Sequence, residues 1–196
     1  MSIPMASMAV DFDAQLMCRV RDGDNQSFSV LLERHRTPMV HYLYRMVQNQ
    51  AVAEELAQEV FLRVFRSRSS YEPSAKFTTW LFRIATHLAL NWLRDGKYER
   101  HRESLDGDAI GFIVRQVPDR NPTVEEHLLA NVRVHEIRDA IKDLSENQKT
   151  AVIMHKYQEM DYGQIARVLN CSESAVKSLL FRAYERLRAR LAHLAD

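Results

Sequence analysis

Apolar positions recur at intervals of three and four along most of this chain, the spacing that lines one face of an α-helix. In a first block, about residues 11–95, Phe28, Leu31, Leu32, His35, Met39 and Leu43 form one stripe. Pro38 falls inside it and predicts a kink or short break, because proline lacks a backbone donor and crowds the preceding turn. Asn49 is placed to cap the next helix, whose apolar face is Leu56, Val60, Phe61, Val64 and Phe65. Glu54, Glu55 and Glu59 lie near the start of that helix, where acids complement its dipole. Beyond Tyr71-Glu72-Pro73 a third helix is predicted from about Thr78 through Arg94, with Leu81, Ile84, Ala85 and Leu88 inward.

The period dissolves over residues 96–122, which hold three of the five glycines and two of the five prolines, so this stretch reads as a linker. A second block, 123–196, restarts it with three helix openings of one chemical type: Thr123-x-x-Glu126, Ser145-x-x-Gln148 and Asp161-x-x-Gln164. In each, the first side chain can accept from an orphan backbone N–H while the later Glu or Gln reaches back to the cap. A fourth helix follows Ser172. Ile165, Ala166 and Leu169 form the inner side of a short helix, and Asn170-Cys171-Ser172 makes a tight connection. Val176, Leu180, Ala183 and Leu187 then face inward on the last helix. Small Ala166 permits a close crossing, and Cys171 is expected to fill the gap beneath the turn. This is helix-turn-helix spacing, in which the second helix enters a DNA major groove. The fold class expected is all-α: two small helical domains joined by a flexible linker, the second a four-helix domain ending in the helix-turn-helix.

Composition narrows the function classes. The chain has 196 residues, 46% hydrophobic and 27% charged, with few glycines and prolines to punctuate a large sheet. No apolar run reaches the roughly 20 residues of a membrane span, and the start lacks the features of a secretory signal. A cytoplasmic protein with no membrane insertion is expected. Cys18 and Cys171, the only cysteines, have no metal-like spacing and are expected as buried small side chains. The eight histidines show no paired metal spacing. A glycine-rich phosphate loop and a nucleophile–base cluster are also missing, so neither an enzyme, a metal site nor a cofactor is expected.

A net charge of +1 conceals two basic stretches. Residues 60–100 carry eight basic side chains against three acidic, and residues 174–190 five against one. Separated basic patches are a better footprint of nucleic acid than net charge. On the last helix Ser174, Lys177, Ser178, Phe181 and Arg182 fall opposite the apolar stripe, with Glu173 in the first turn. Hydroxyls and cations there suit base edges and phosphates; a merely solvated face is the alternative. Around the third helix, Phe77, Trp80, Phe82, Trp92 and Tyr98 interleave with Arg83, Arg94, Lys97 and Arg100. Aromatics that stack on bases beside cations that track phosphates hold single strands. Core packing competes with that role, and at least one of Trp80 and Phe82 is expected to turn inward.

The ordered segments AEELAQEVFLRVF (53–65), FTTWLFRIATHLALNWLR (77–94) and LSENQKTAVIMHKYQEMDYGQIARVLNCSESAVKSLLFRAYERLRARL (144–191) resemble bacterial sigma factors. The resemblance is closest to the small extracytoplasmic-function (ECF) group, which keeps only the second and fourth conserved regions. It implies a chain that binds core RNA polymerase, recognises promoter DNA and promotes strand opening in a stress or signal response. The helix matching Ala51 to Phe65 docks on polymerase in the family, which places Glu55, Gln58, Glu59 and Phe61 at the core-binding positions. The stretch matching Phe77 to Arg94 captures the melted minus-ten element, which assigns Phe77, Trp80, Arg83, His87, Asn91 and Arg94 to the single strand. The helix-turn-helix reads the minus-thirty-five duplex, which assigns Glu173, Ser174, Lys177, Ser178 and Arg182. An anti-sigma factor is the further partner the resemblance implies.

Two positions depart from the family pattern. His87 stands where Asn is frequent, and its ring cannot both donate and accept as an amide does. Leu179 stands where many members have Arg, and its angle puts it at the edge of the buried stripe. Two rival readings are an operator-binding repressor or activator, and a helical adaptor that binds only protein.

Overall fold

A computed structural model describes residues 11–96 and 124–194, with side chains in the second stretch from residue 133 onward. Residues 97–122 of the expected linker 96–122, the Thr123 opening, and Lys97, Tyr98 and Arg100 lie outside the described residues. The chain divides into two compact units, with the division falling between Tyr98 and Glu99.

The first unit contains α1 (Phe12–Arg21), α2 (Asn25–Val47), α3 (Gln50–Arg66) and α4 (Phe77–Arg94), with a 3-10 turn at Arg68–Ser70. Local chemistry starts three of the four. Asp11 Oδ1 accepts from the Asp13 N–H at 3.2 Å, Asp24 from Gln26 at 2.9 Å, and Asn49 from Val52 at 3.1 Å. Gln48 takes the left-handed conformation (φ 57°), so α2 turns into α3 within two residues. α2 packs against α1, α3 and α4. Met17, Val20, Leu31, Met39, Tyr42, Leu43, Met46, Phe77 and Leu81 are all fully buried at this junction. Deep in it, the hydroxyls of Tyr42 and Thr86 share a 2.7 Å hydrogen bond, and burial pushes the Tyr42 phenol well above its usual range.

The short break that Pro38 could have made does not occur: α2 is one continuous 23-residue helix with Pro38 inside it. An interior proline costs about 3 kcal/mol or more. Burying Met39, Tyr42 and Leu43 just beyond it returns roughly 1.5–3 kcal/mol per large side chain, so the tertiary contribution outweighs the local penalty.

The second unit contains α5 (Val124–Lys142), α6 (Glu146–Tyr157), α7 (Tyr162–Leu169) and α8 (Glu173–Arg190). Both described capping boxes are reciprocal: Ser145 with Gln148, and Asp161 with Gln164. α8 packs on α6 and α7, burying Val176, Leu180 and Ala183 against Ile153, Met154 and Ile165 in one core. Asn170 is left-handed (φ 52°), the Cys171 N–H closes on the Ala166 carbonyl at 3.0 Å, and Ser172 caps α8. The turn is therefore Asn170 to Ser172, with Cys171 and Ser172 exposed. This corrects both cysteine expectations: Cys171 faces solvent rather than filling the crossing, and Cys18 is half-buried. Gly163 joins Ala166 at the crossing, since a Cβ there would meet Glu173 Oε1 at 3.1 Å.

Lys149 on α6 is 4% exposed, and loss of water holds its ammonium below the usual lysine range, opposed in part by Glu146. Its folded pKa lies below its unfolded one, so the unfolded chain carries the extra proton in the interval between them. Stability of this unit therefore rises with pH across that interval, and the burial cost is at its full value below it. Lys149→Met is expected to raise stability near neutral pH by on the order of 1 kcal/mol and to flatten the alkaline rise. Circular dichroism melts at neutral and alkaline pH measure both; a lower neutral midpoint in the variant contradicts the expectation.

Candidate nucleic-acid interfaces

α4 sorts its residues by angle. Phe77, Leu81, Ala85, Leu88 and Trp92, spaced four, four, three and four apart, are buried. Trp80, Arg83, His87, Asn91 and Arg94, spaced three, four, four and three apart, form a second stripe beside them. On that stripe Arg83, His87 and Arg94 are exposed and Trp80 and Asn91 half-buried. The Arg94 guanidinium donates to Asn91 Oδ1 at 2.7 Å. Five of the six residues assigned to the single strand thus share a face. Phe77 is the exception and a correction: it is fully buried, within 5.4 Å of the His35 ring, and its spacing puts it on the packing stripe. Phe82 is the aromatic that turns inward, edge-on to Tyr42 at 4.9 Å.

Beside Trp80 the surface is concave. An open trough of about 690 Å³ runs there, lined by Arg63, Arg66, Tyr71, Trp80, Arg83 and Ile84 among others. Half-buried Trp80 supplies its aromatic surface, backed by the buried Tyr71 ring 4.9 Å away, and its rim is cationic. Arg63 is engaged by Glu59 at 2.7 Å, a surface pair of little energetic weight. A stacking plane beside guanidinium groups suits a strand with its bases unpaired.

On α3, Glu55 and Gln58 are exposed and Glu59 half-buried, while Phe61 is 6% exposed and belongs to the core. That corrects its placement among docking residues. The face begun by Glu55, Gln58 and Glu59 is completed at the next helical step by Leu62, which is 49% exposed. Spacing alone identifies it, because Leu62 follows Glu55 by seven residues and Phe61 does not share that face.

On α8, Glu173, Ser174, Lys177, Ser178 and Arg182 are all exposed on one side. The Ser178 hydroxyl donates to the Ser174 carbonyl at 3.0 Å and Arg182 Nε to the Ser178 carbonyl at 3.2 Å, so these groups lie along the helix. Lys177 Nζ sits 5.8 Å from the centre of the Tyr162 ring. Leu179 is half-buried at the edge of the packing stripe, as its angle suggests. Phe181, at 68% exposure, stands in the middle of this polar face. The family assignment passes over it, although an aromatic out of phase with the apolar period is a visible signal of a contact residue. Further along, Arg188 pairs with Glu185, Arg190 with Asp143 at 3.9 Å, and His193 with Glu136 at 2.8 Å. Among the described residues no cluster of three or more His, Cys, Asp or Glu is placed to hold a metal ion. None of the described helices is long and apolar enough to cross a membrane.

Comparison with known proteins matches both units. The family pattern described as Sigma-70 region 2 covers residues 31–98, and that described as Sigma-70, region 4 covers residues 135–187. RNA polymerase sigma factor CarQ of Myxococcus xanthus is 33% identical over 180 residues, spanning 91% of this chain and 97% of CarQ. The ECF RNA polymerase sigma-E factor of Haemophilus influenzae is 30% identical over 183 residues, spanning 93% and 96% of the two chains. Among solved structures, CnrH in complex with the cytosolic domain of CnrY aligns with a TM-score of 0.68 at 18% identity, covering 92% of this chain and 97% of that one.

Proposed function

The chain belongs to the sigma-70 family of RNA polymerase sigma factors, in its ECF group, and on that premise we propose how its two units divide the family's task. As a sigma factor it binds core RNA polymerase, recognises promoter DNA and promotes strand opening in a stress or signal response. The first unit holds polymerase through α3 and the unpaired minus-ten strand through Trp80, Arg83, His87, Asn91 and Arg94. The second reads the minus-thirty-five duplex through Glu173, Ser174, Lys177, Ser178 and Arg182. Phe181 adds an apolar surface suited to a thymine methyl group. The observation that carries this reading is the difference in chemistry between the two faces: aromatic and cationic on α4, hydroxyl and cationic on α8.

Strand opening follows from differential binding. A groove that binds unpaired bases and not paired ones shifts the duplex toward the melted state by its difference in affinity. On this reading the chain contributes binding alone, uses no cofactor, acts in the cytoplasm beside polymerase and DNA, and answers to an anti-sigma protein. CnrH, solved with a cytosolic protein domain bound, supports a partner of that kind.

The test is transcription by core polymerase over a library of genomic fragments, with start sites mapped. Specific starts are expected only when the chain is added; no promoter-specific transcript on any fragment rejects the proposal. A palindromic footprint made by the chain without polymerase favours the operator-binding alternative instead.

Within α3, Leu62→Arg is expected to weaken core polymerase binding about tenfold or more while leaving the melting midpoint in place. Phe61→Ala is expected to do the reverse, removing about 3–5 kcal/mol of stability. Affinity titrations against core, run beside thermal melts, separate the two; equal affinity loss with Leu62 intact contradicts the assignment.

A further inference from the structure

α4 has no side-chain cap from its own N-cap residue, Lys76. Its first N–H, that of Phe77, instead donates to Asp11 Oδ2 at 2.6 Å, across 66 residues of sequence. The same carboxylate caps α1 through its other oxygen. At the opposite end of α1, Arg21 Nη1 donates to the Tyr71 carbonyl at 3.3 Å, and Asp22 holds that guanidinium at 3.1 Å. The two ends of α1 therefore grip the two ends of the segment from Tyr71 to Phe77. That segment joins the 3-10 turn to α4 and carries one wall of the groove.

Other contacts stiffen this grip. Asp13, 7% exposed, accepts from Arg34 and pairs with His35, each at 2.9 Å, which fixes the start of α1 on α2. The His35 ring lies 5.4 Å from Phe77, Phe77 lies 5.9 Å from Trp80, and Trp80 lies 4.9 Å from Tyr71. The Tyr71 hydroxyl senses α1 as well: burial pushes its pKa up to about 12, and Cys18, Asp11 and Asp13 add to the rise. An unbroken run of contacts thus leads from α1 to the aromatic wall. Misplacing such a wall by about 1 Å is enough to impair binding of a positioned strand.

We infer that α1 is a splint for the strand-holding groove, with Asp11 and Arg21 as positioning residues that set the Tyr71–Phe77 segment and, through it, the stacking surface of Trp80. The inference rests on the reading that this groove holds the unpaired minus-ten strand.

The experiment uses the full chain bound to core polymerase. One probe is a fork DNA whose unpaired non-template extension carries a minus-ten sequence from the mapped start sites; the comparator is a duplex carrying the minus-thirty-five element. Asp11→Ala is expected to weaken fork binding about tenfold, with duplex and core affinities within about twofold of the parent. Asp11→Asn, which keeps one of the two acceptor oxygens, is expected to bind the fork with an affinity between those of the parent and Asp11→Ala. Arg21→Gln is expected to weaken fork binding selectively as well. Unchanged fork binding in both Asp11→Ala and Arg21→Gln overturns the inference. So do equal losses on fork, duplex and core, which mark a general loss of structure. Should Asp11→Ala fail to fold, Arg21→Gln leaves both caps in place and decides the matter by itself. Trp80→Ala and Arg83→Ala test the underlying reading separately: if neither weakens fork binding, the groove does not hold the strand, whatever α1 does.

Discussion

Phe77→Ala is expected to remove about 3–5 kcal/mol from the stability of the first unit. That is a large share of the roughly 5–15 kcal/mol available to a domain of this kind. Phe77 is fully buried, packed near His35, Tyr71 and Trp80, and its own N–H is held by Asp11. Truncation leaves a cavity at the point where α1, α2 and α4 meet, and a helix start pinned from outside has little freedom to collapse into it. Urea unfolding followed by tryptophan fluorescence reads this unit selectively, because Trp80 and Trp92 are the only two tryptophans and both lie on α4. A stacking residue behaves otherwise: its loss weakens strand binding and leaves the midpoint unmoved. An unmoved midpoint in Phe77→Ala would therefore return Phe77 to the DNA-contacting set.

The second large effect is expected at α8. Reversing both charges, Lys177→Glu with Arg182→Glu, is expected to lower affinity for the minus-thirty-five duplex by at least about a hundredfold. Contacts of this type contribute about 1–3 kcal/mol each, and repulsion from phosphates adds to the effect of removing them. Both side chains are exposed, and their described contacts are the Tyr162 ring and the Ser178 carbonyl, so the fold has little to lose. Core binding should survive, as should binding to a fork DNA lacking the minus-thirty-five element. The dependence of binding on salt should become shallower, by about 0.9 in log–log slope for each phosphate no longer neutralised. Duplex affinity that is indifferent to the double reversal would remove α8 from the promoter and favour a purely protein-binding role.

Legibility in the sequence follows the range of the forces involved. Helices with local caps are readable: Asn49, Ser145, Asp161 and Ser172 each cap within three residues of themselves. The exposed polar face of α8 is readable for the same reason, since a helical wheel fixes its side once the buried stripe is known. Pro38 does not end α2 because its penalty is local while the burial that overrides it is tertiary. Phe61 and Phe77 mislead because a family position says which residue stands where, and only packing says which way it faces. In both cases the helical spacing already holds the answer, with Leu62 and Trp80 on the outward steps. The Asp11 contact with Phe77 has no sequence signature at all, because it depends on which surfaces α1 and α4 bring together.

That contact also bears on the order in which the chain acquires its structure. In the second unit the capping partners are three residues apart, so α6 and α7 can begin as soon as a turn of chain is available. The outside cap of α4 forms only on closure of a loop 66 residues long, a search whose entropy cost precedes any reward. Contacts of long sequence separation slow folding, so the first unit should reach its native state later than the second when both are released from denaturant together. The groove would then be among the last features of the molecule to take shape.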